Sequence, residues 1–167
     1  MKTKDIATVG VSAALVFAVT ALVSIPMPVL SGGEGYFNMG DVAIFLSAYL
    51  IGGWQAALAA AVGSSLSDLA LSYSVYILPT FVIKGTMGLT VGLMCARTRG
   101  FPMFGAACAI GALIMASGYT VFEAFFYGGA AAIAGLPGNV LQGVVATVCS
   151  YALFIPVAKL RGVLGHQ

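Results

Sequence analysis

Residues 42–67, VAIFLSAYLIGGWQAALAAAVGSSLS, decide the fold of this chain, because they are uncharged and lie between Asp41 and Asp68. A helix needs about 20 apolar residues to cross a bilayer, so this stretch is either one long tilted helix or two short ones. Gly52 and Gly53 in its middle favour a turn, since glycine adopts turn conformations without steric cost.

The positions of the basic residues give an independent test of these two alternatives. Lysine and arginine concentrate in the cytoplasmic loops of membrane proteins. Those outside the apolar runs form three groups, which are Lys2 with Lys4, Arg97 with Arg99, and Lys159 with Arg161. If all three groups are cytoplasmic, an even number of helices must separate them. One helix over residues 42–67 leaves an odd number between the first two groups, whereas two helices leave an even number.

The chain is therefore predicted to be an all-α integral membrane protein, a six-transmembrane-helix bundle with cytoplasmic N and C termini. A second break, at residues 135–138, contains glycine and proline and separates the last two helices. The helices are predicted at roughly 6–25, 37–51, 54–71, 78–96, 102–127 and 137–158. They form a single domain over residues 1–167. The loop 26–36 is predicted to be external and irregular, because glycine and proline interrupt it.

The composition supports a membrane location. Hydrophobic residues make up 60% of the chain and charged residues 7%, whereas a soluble domain carries about 25% charged residues. So few charges cannot cover a surface that faces water, so the lipid bilayer must cover most of it. The net charge of +2 comes from too few basic residues for a nucleic-acid interface. The apolar run 6–25 is long for a cleaved signal and has the length of a membrane span.

The chain lacks the residue patterns of common enzymes and metal sites. It contains no GxxxxGK[ST] phosphate loop, no HExxH and no GxSxG motif. Its cysteines, Cys95, Cys108 and Cys149, lie in apolar runs without metal-ligand spacing, and are read as small buried hydrophobic residues. His166 stands alone in the C-terminal tail. We therefore predict a protein that is not an enzyme and that holds no metal and no cofactor.

Lys84 is the most specific indication of a functional site in the sequence. Ionisable residues within membrane spans are costly and usually face a bundle interior or a cavity. Glu123 lies at a similar predicted depth on the next helix and is the expected partner. Two interpretations stay open at this point. The pair either closes on itself and only fixes helix packing, or Lys84 donates to a substrate while Glu123 positions it.

Three further polar residues fall on the same side of the predicted bundle. Asp41, which follows Asn38, either stabilises the start of a helix or contacts a ligand. Asp68 lies near the end of a helix, where the dipole disfavours a carboxylate. It therefore needs a loop N–H, Lys84 or a ligand as a partner. Asn139, like Gln142, opens the last helix, and either follows the turn there or contacts a ligand.

Aromatic residues gather on this side as well. Most are typical of the aromatic belt at a membrane interface, and a few, Tyr76 among them, are candidates to line an apolar pocket.

The first helix carries small residues at a spacing of four, namely Gly10, Ala14 and Ala18. Small residues at this spacing let another helix approach closely in lipid. The approaching helix belongs either to the same bundle or to a partner subunit.

Three segments resemble one known family over nearly the whole chain. They are residues 35–41 (GYFNMGD), 63–69 (GSSLSDL) and 78–85 (LPTFVIKG). They are similar to the substrate-binding S components of energy-coupling factor (ECF) vitamin transporters, in the branch that includes riboflavin, hydroxymethylpyrimidine and pyridoxine S components.

The resemblance implies a vitamin importer of the bacterial plasma membrane. An S component captures a small heterocyclic vitamin or precursor from outside, with the loop 26–36 acting as a gate. An alanine pattern on the first helix contacts a membrane-embedded coupling subunit, and two ATPase subunits supply the energy. Ala14 and Ala18 match two positions of that pattern, but Leu22 departs from it.

On this interpretation the candidate ligand is a pyrimidine or pyridine compound, followed by riboflavin. The candidate ligand contacts are Lys84, Glu123, Asp68, Asn139, Asp41, Asn38 and Tyr76, and the candidate partner contacts are Gly10, Ala14 and Ala18. Two alternatives from other classes remain. One is a small membrane enzyme that acts on a lipid or isoprenoid, and the other is a membrane assembly protein without a ligand.

Overall fold

The structure is a computed structural model that describes residues 3–28, 34–98 and 100–164, so that Lys2, Arg99 and His166 lie outside the described part. The elements follow in the order α1 (Thr3–Leu22), β1 (Ser24–Pro28), β2 (Glu34–Asn38), α2 (Gly40–Ile51), α3 (Gly53–Ala70), a short 3-10 turn (Ser74–Tyr76), α4 (Ile77–Arg97), α5 (Phe101–Phe126), α6 (Gly129–Ala152) and α7 (Phe154–Leu164).

The break at Gly52 and Gly53 is confirmed, because α2 ends and α3 begins there. Both glycines have positive φ, +70° and +46°, which a side chain with a Cβ rarely adopts. The turn also packs against Gly92 of α4, where an added Cβ would lie 2.6 Å from the backbone nitrogen of Gly53. The turn therefore depends on glycine both for its own conformation and for the helix that covers it.

The loop 26–36, predicted to be irregular, belongs in large part to a β-hairpin. Strands β1 and β2 pair antiparallel, with Ser24 opposite Asn38; residues 29–33 of the predicted loop lie outside the described part. A two-stranded sheet has only edge strands, so the prolines of β1 are tolerated. Because the hairpin begins at Ser24 and ends at Asn38, the predicted helices 6–25 and 37–51 were too long at this end.

The predicted break at residues 135–138 is wrong. The chain turns at Gly128, which has a φ of +91°, and α6 begins at Gly129 and contains Pro137. Proline removes one backbone hydrogen bond from a helix, which membrane helices tolerate better than soluble ones. The predicted last helix also ended too late, because α6 stops at Ala152 and α7 follows.

The described residues include four helices that are long and apolar enough to cross a membrane, Thr3–Leu22, Ser74–Arg97, Phe101–Phe126 and Gly129–Ala152, together with the shorter apolar helix Gly40–Ile51. Large apolar side chains point outward from them, such as Val11 on α1, Leu78 on α4 and Phe125 on α5, which is 90% exposed. An exposed apolar surface of this extent suits lipid rather than water.

Helix α3 owes its place to packing more than to hydropathy. It packs mainly against α4 and α1 through a buried face of small residues, among them Ala59, Ala60 and Gly63. At Gly63 an added Cβ would lie 2.5 Å from the carbonyl oxygen of Ala13 on α1. Small residues at such a contact bring two backbones close together.

The two ends of the bundle differ in their connections and in their side chains. One end, which we call the hairpin end, carries the β-hairpin and the α3–α4 and α5–α6 connections. At the other end Tyr49, Phe104 and Phe154 pack with ring centroids 5.2–5.3 Å apart. Between them lies a core that includes the fully buried side chains Phe45 and Met87. The middle of the bundle is thus largely apolar, and its buried charged residues, Asp41, Asp68, Lys84 and Glu123, lie toward the hairpin end.

We expect Gly92→Ala to destabilise the protein by about 1–3 kcal/mol, because the new methyl group meets rigid backbone at the α2–α3 turn. Thermal unfolding of the purified protein in detergent measures this. Gly10→Ala on α1 is the matched control, since an added Cβ there meets nothing within 4 Å. Equal unfolding temperatures for the two variants contradict the close approach of α4 to the turn.

Candidate functional site

A cavity opens at the hairpin end of the bundle, and we call it the hairpin cavity. Residues from the five helices α1, α3, α4, α5 and α6, from the hairpin and from the 3-10 turn surround it. It is lined by Thr20, Gly35, Tyr36, Asn38, Ser64, Asp68, Tyr76, Thr80, Lys84, Tyr119, Glu123, Asn139 and Gln142. Six of the seven sequence-predicted ligand contacts lie in this lining. The seventh, Asp41, is fully buried and contacts Lys84.

Four of the lining residues that sequence reasoning missed follow a simple pattern, whereas Thr20, Gly35 and Tyr36 do not. Each of the four lies three or four positions from another polar lining residue on the same helix, and residues at this spacing share one helix face. The pairs are Ser64 with Asp68, Thr80 with Lys84, Tyr119 with Glu123, and Asn139 with Gln142. A search for polar pairs at helical spacing would have found them.

A buried ion pair between Lys84 and Asp41 stands beside the cavity. The Lys84 ammonium donates to Oδ1 of Asp41, and both residues are almost fully buried, at 2% and 0% exposure. Gln142 Nε2 donates to the second carboxylate oxygen over 2.8 Å. In turn, the backbone N–H of Asn38 donates to Gln142 Oε1 over 3.0 Å. The network therefore joins α2, α4, α6 and strand β2.

The predicted pairing of Lys84 with Glu123 is wrong. Asp41 occupies the first turn of α2 and meets Lys84 across the α2–α4 contact. Glu123 lies elsewhere on the cavity wall, on α5. The ammonium also lies over the ring of Tyr119, with Nζ 5.4 Å from the ring centroid, which adds a cation–π contact.

Asp68 finds its partner in the hairpin. The hydroxyl of Tyr36 donates to Asp68 Oδ1 over 2.6 Å, and the Tyr36 ring packs on that of Tyr73 at 4.7 Å. Burial, together with the neighbouring Asp68 carboxylate, raises the pKa of Tyr36 well above its usual value, so that its hydroxyl keeps the proton and remains a donor. This bond fastens strand β2 to the end of α3.

Glu123 lies at the other wall of the cavity, with Tyr76 and Asn139 beside its carboxylate. Gly135 also approaches closely, since a Cβ there would lie 2.6 Å from Glu123 Oε2. Glu123 Oε2, the Tyr76 hydroxyl and Asn139 Nδ2 lie near one another, but none of them forms a hydrogen bond of normal length and angle among the described residues. The predicted turn that accounted for Asn139 is absent, because Asn139 lies inside α6.

Unpartnered polar atoms are concentrated in this one cavity. In the described part of the chain, seven buried side-chain atoms lack a hydrogen-bond partner, and six of them belong to lining residues. They are Thr20 Oγ1, Ser64 Oγ, Asp68 Oδ2, Tyr76 Oη, Glu123 Oε2 and Asn139 Nδ2. Buried polar groups are normally hydrogen-bonded, and each exception calls for an explanation. Their convergence is typical of a binding site for a polar small molecule.

The small-residue face of α1 lies on the outside of the bundle. Ala14 is exposed, and an added Cβ at Gly10 meets nothing within 4 Å, while Ala18 is partly buried. Packing within the bundle uses the opposite face of α1, through buried residues such as Ala13 and Val16.

The family description "ECF-type riboflavin transporter, S component" matches residues 1–159 of this chain. The chain belongs to this family. The resemblance read from the three sequence segments is thereby confirmed. Family membership indicates a transporter rather than an enzyme, and together with the long apolar helices it identifies a membrane protein.

Two relatives extend this comparison. The chain is 35% identical over 125 residues to a Pyrococcus woesei protein described as "uncharacterized protein in gap 3'region", a match that covers 75% of this chain and 82% of the relative. It is 28% identical over 161 residues to the thiamine precursor transporter HmpT of Lactococcus lactis, which covers 96% of this chain and 91% of HmpT.

A double-mutant cycle tests the buried pair. We expect Asp41→Asn and Lys84→Gln each to lower the free energy of unfolding by about 3–5 kcal/mol, because each leaves one buried charge without its partner. The double variant should lose much less than the sum of the two. Thermal unfolding in detergent supplies the free energies, and additive losses contradict a direct pair.

Proposed function

We propose that this protein is the high-affinity substrate-binding subunit of an ECF-type importer, with the hairpin cavity as its binding site for a vitamin or vitamin precursor. The observation that carries this proposal is the set of six unpartnered buried polar atoms that converge on one cavity. Membership of the S-component family supports the same assignment.

The ligand we propose is a small heterocycle, a pyrimidine or pyridine compound first and riboflavin second. HmpT, which is similar along nearly its whole length, transports a thiamine precursor, while the family description names riboflavin. The tyrosines 36, 76 and 119 line the cavity, and aromatic faces of this kind stack on flat rings.

We propose distinct roles for the lining residues. Glu123, Asp68, Asn139 and Tyr76 contact the ligand through their unpartnered atoms. Lys84 has two ammonium hydrogens beyond the one that Asp41 accepts, and these are available to an acceptor on the ligand. Asp41 and Asn38 hold this wall in place through Gln142.

The hairpin is proposed to act as the gate. The cavity volume of about 50 Å³ is far below the ~300–1,000 Å³ of sites for drug-sized ligands. A vitamin therefore enters only if part of the wall moves. The hairpin and the short 3-10 turn are the wall segments outside the α-helices. The hairpin is attached by the hydrogen bonds from Tyr36 to Asp68 and from Asn38 to Gln142, and by the ring contact of Tyr36 with Tyr73. We propose that the hairpin moves by breaking these few contacts while the helices keep their packing.

We also propose a membrane orientation with six crossings, in which the single domain 1–167 spans a bacterial plasma membrane. Lys4, Arg97 and Lys159 all lie at the end opposite the hairpin, and the positive-inside rule supports a cytoplasmic location for that end. The hairpin cavity then faces the outside, from which an importer takes its substrate.

The proposed partners are a membrane-embedded coupling subunit and two ATPase subunits. The outward face of α1, which we call the α1 face and define as Gly10, Ala14 and Ala18, is the proposed contact with the coupling subunit. Its small residues allow a close approach of helices in lipid. The sequence offers no phosphate-binding loop of its own, so the proposed energy source lies in the partners.

The first experiment identifies the small molecules released when the detergent-purified protein is denatured, by mass spectrometry. We expect one heterocycle to be enriched in the wild type and depleted about 10-fold in Asn139→Leu. Leucine is similar in size to asparagine but cannot donate a hydrogen bond to the ligand.

Val140→Ala is the matched control, since Val140 is the exposed neighbour on the same helix, and it should retain the wild-type ligand content. If wild type and Asn139→Leu release the same compounds, and a vitamin panel gives no binding, the assembly-protein alternative replaces the importer.

The α1 face is tested by separating binding from transport. We expect Ala14→Trp to lower vitamin uptake by cells that hold all subunits by at least about 10-fold, because the large ring prevents close helix contact. Ligand affinity of the purified subunit should not change. Leu113→Trp, at a 69% exposed position on α5, is the control. Equal uptake by the two variants contradicts the proposed docking face.

A further inference from the structure

We infer that the hairpin cavity selects ligands that carry no negative charge and that present at least two hydrogen-bond donors, and that it rejects the phosphorylated forms of the same vitamins. This inference rests on the proposed function and specifies the substrate class of that site.

The first step is the charge balance of the cavity. Among the described residues that line it, Lys84 is the one cation, and its charge is already matched by Asp41. Asp68 and Glu123 also line the cavity, and they are 2% and 7% exposed. Among the described residues, neither of them forms a salt bridge. The site is therefore electrically negative toward whatever enters it.

The second step is whether the unpartnered atoms donate or accept hydrogen bonds. Asp68 Oδ2 on α3 and Glu123 Oε2 on α5 both lack a donor, and an ionised carboxylate can only accept hydrogen bonds. A ligand that satisfies both must bring two N–H or O–H groups, one for each wall. An amino or ring N–H group and a hydroxyl group meet this demand.

The third step concerns the wall at Glu123. Asn139 lies beside this carboxylate, and its Nδ2 forms no hydrogen bond of normal length and angle to it or to another described residue. An acceptor and a donor that lie side by side on the protein match a donor and an acceptor that lie side by side on a ring. An amino group next to a ring nitrogen has this pattern, and so does an imide N–H next to a carbonyl.

The same features exclude a phosphate group. A phosphate monoester brings close to two negative charges at neutral pH, and neither Asp68 nor Glu123 can donate to it while ionised. Bringing such a charge into a buried site without a matching cation is strongly unfavourable. Lys84 can donate its remaining hydrogens to a ligand, but Asp41 already balances its single positive charge, so the lining holds no surplus positive charge for a phosphate.

The test is calorimetric titration of the full-length protein in detergent with two matched pairs of compounds. One pair is a 4-aminopyrimidine with a hydroxymethyl group and its phosphate monoester, and the other is riboflavin and its phosphate monoester. We expect one of the unphosphorylated compounds to bind, and its ester to bind at least about 100-fold more weakly.

The variant Glu123→Gln keeps the size of the side chain and removes its charge. We expect it to weaken binding of the neutral compound and to reduce the discrimination against the ester by about 10-fold. Asp5→Asn, in the first turn of α1 at the opposite end of the bundle, is the control and should leave both affinities unchanged.

The outcomes separate this inference from the proposed function. If an ester binds as tightly as its parent compound, the charge selection is wrong, although the protein still binds vitamins. An unchanged discrimination in Glu123→Gln also overturns it. If none of the four compounds binds and the wild type releases no heterocycle on denaturation, the proposed function itself fails.

Discussion

The buried ion pair between Lys84 and Asp41 is the interaction on which the rest of the site depends. A charge within a membrane protein is costly unless it is paired and hydrogen-bonded. Here each charge has its counterpart, and Gln142 satisfies the second oxygen of Asp41. Because Gln142 also accepts from the backbone of Asn38, the pair fixes the position of strand β2 relative to three helices. The hairpin is therefore placed by electrostatics within the bundle.

This pair also determines what the cavity offers to a ligand. By using the positive charge of Lys84, Asp41 leaves Asp68 and Glu123 as the dominant features of the lining. Their unpartnered oxygens are an energetic cost to the protein alone, and native proteins retain such groups where function requires them. The bundle tolerates this cost because its middle and its opposite end are packed with apolar and aromatic side chains such as Phe45, Met87 and Phe104.

The sequence predicted which residues form this site better than it predicted which of them pair with one another. Charge parity and two glycines located the α2–α3 break, and the rule that ionisable residues in spans face a cavity gathered Lys84, Asp68 and Glu123 at one end. The partner of Lys84 was missed, because the choice between Asp41 and Glu123 depends on how helices rotate and pack. Pro137 misled for a related reason, since the geometry at Gly128 and not the local residue type set the turn.

Helix α1 relates the two proposed surfaces of the protein to each other. Thr20, near its end, lines the hairpin cavity, while Ala14 points away from the bundle. The inner face of the same helix contacts α3 so closely at Gly63 that no Cβ fits between them, and α3 carries Asp68. A rigid contact of this kind transmits displacement rather than absorbing it. The cavity residues Asp68 and Thr20 and the α1 face therefore lie on one closely packed pair of helices.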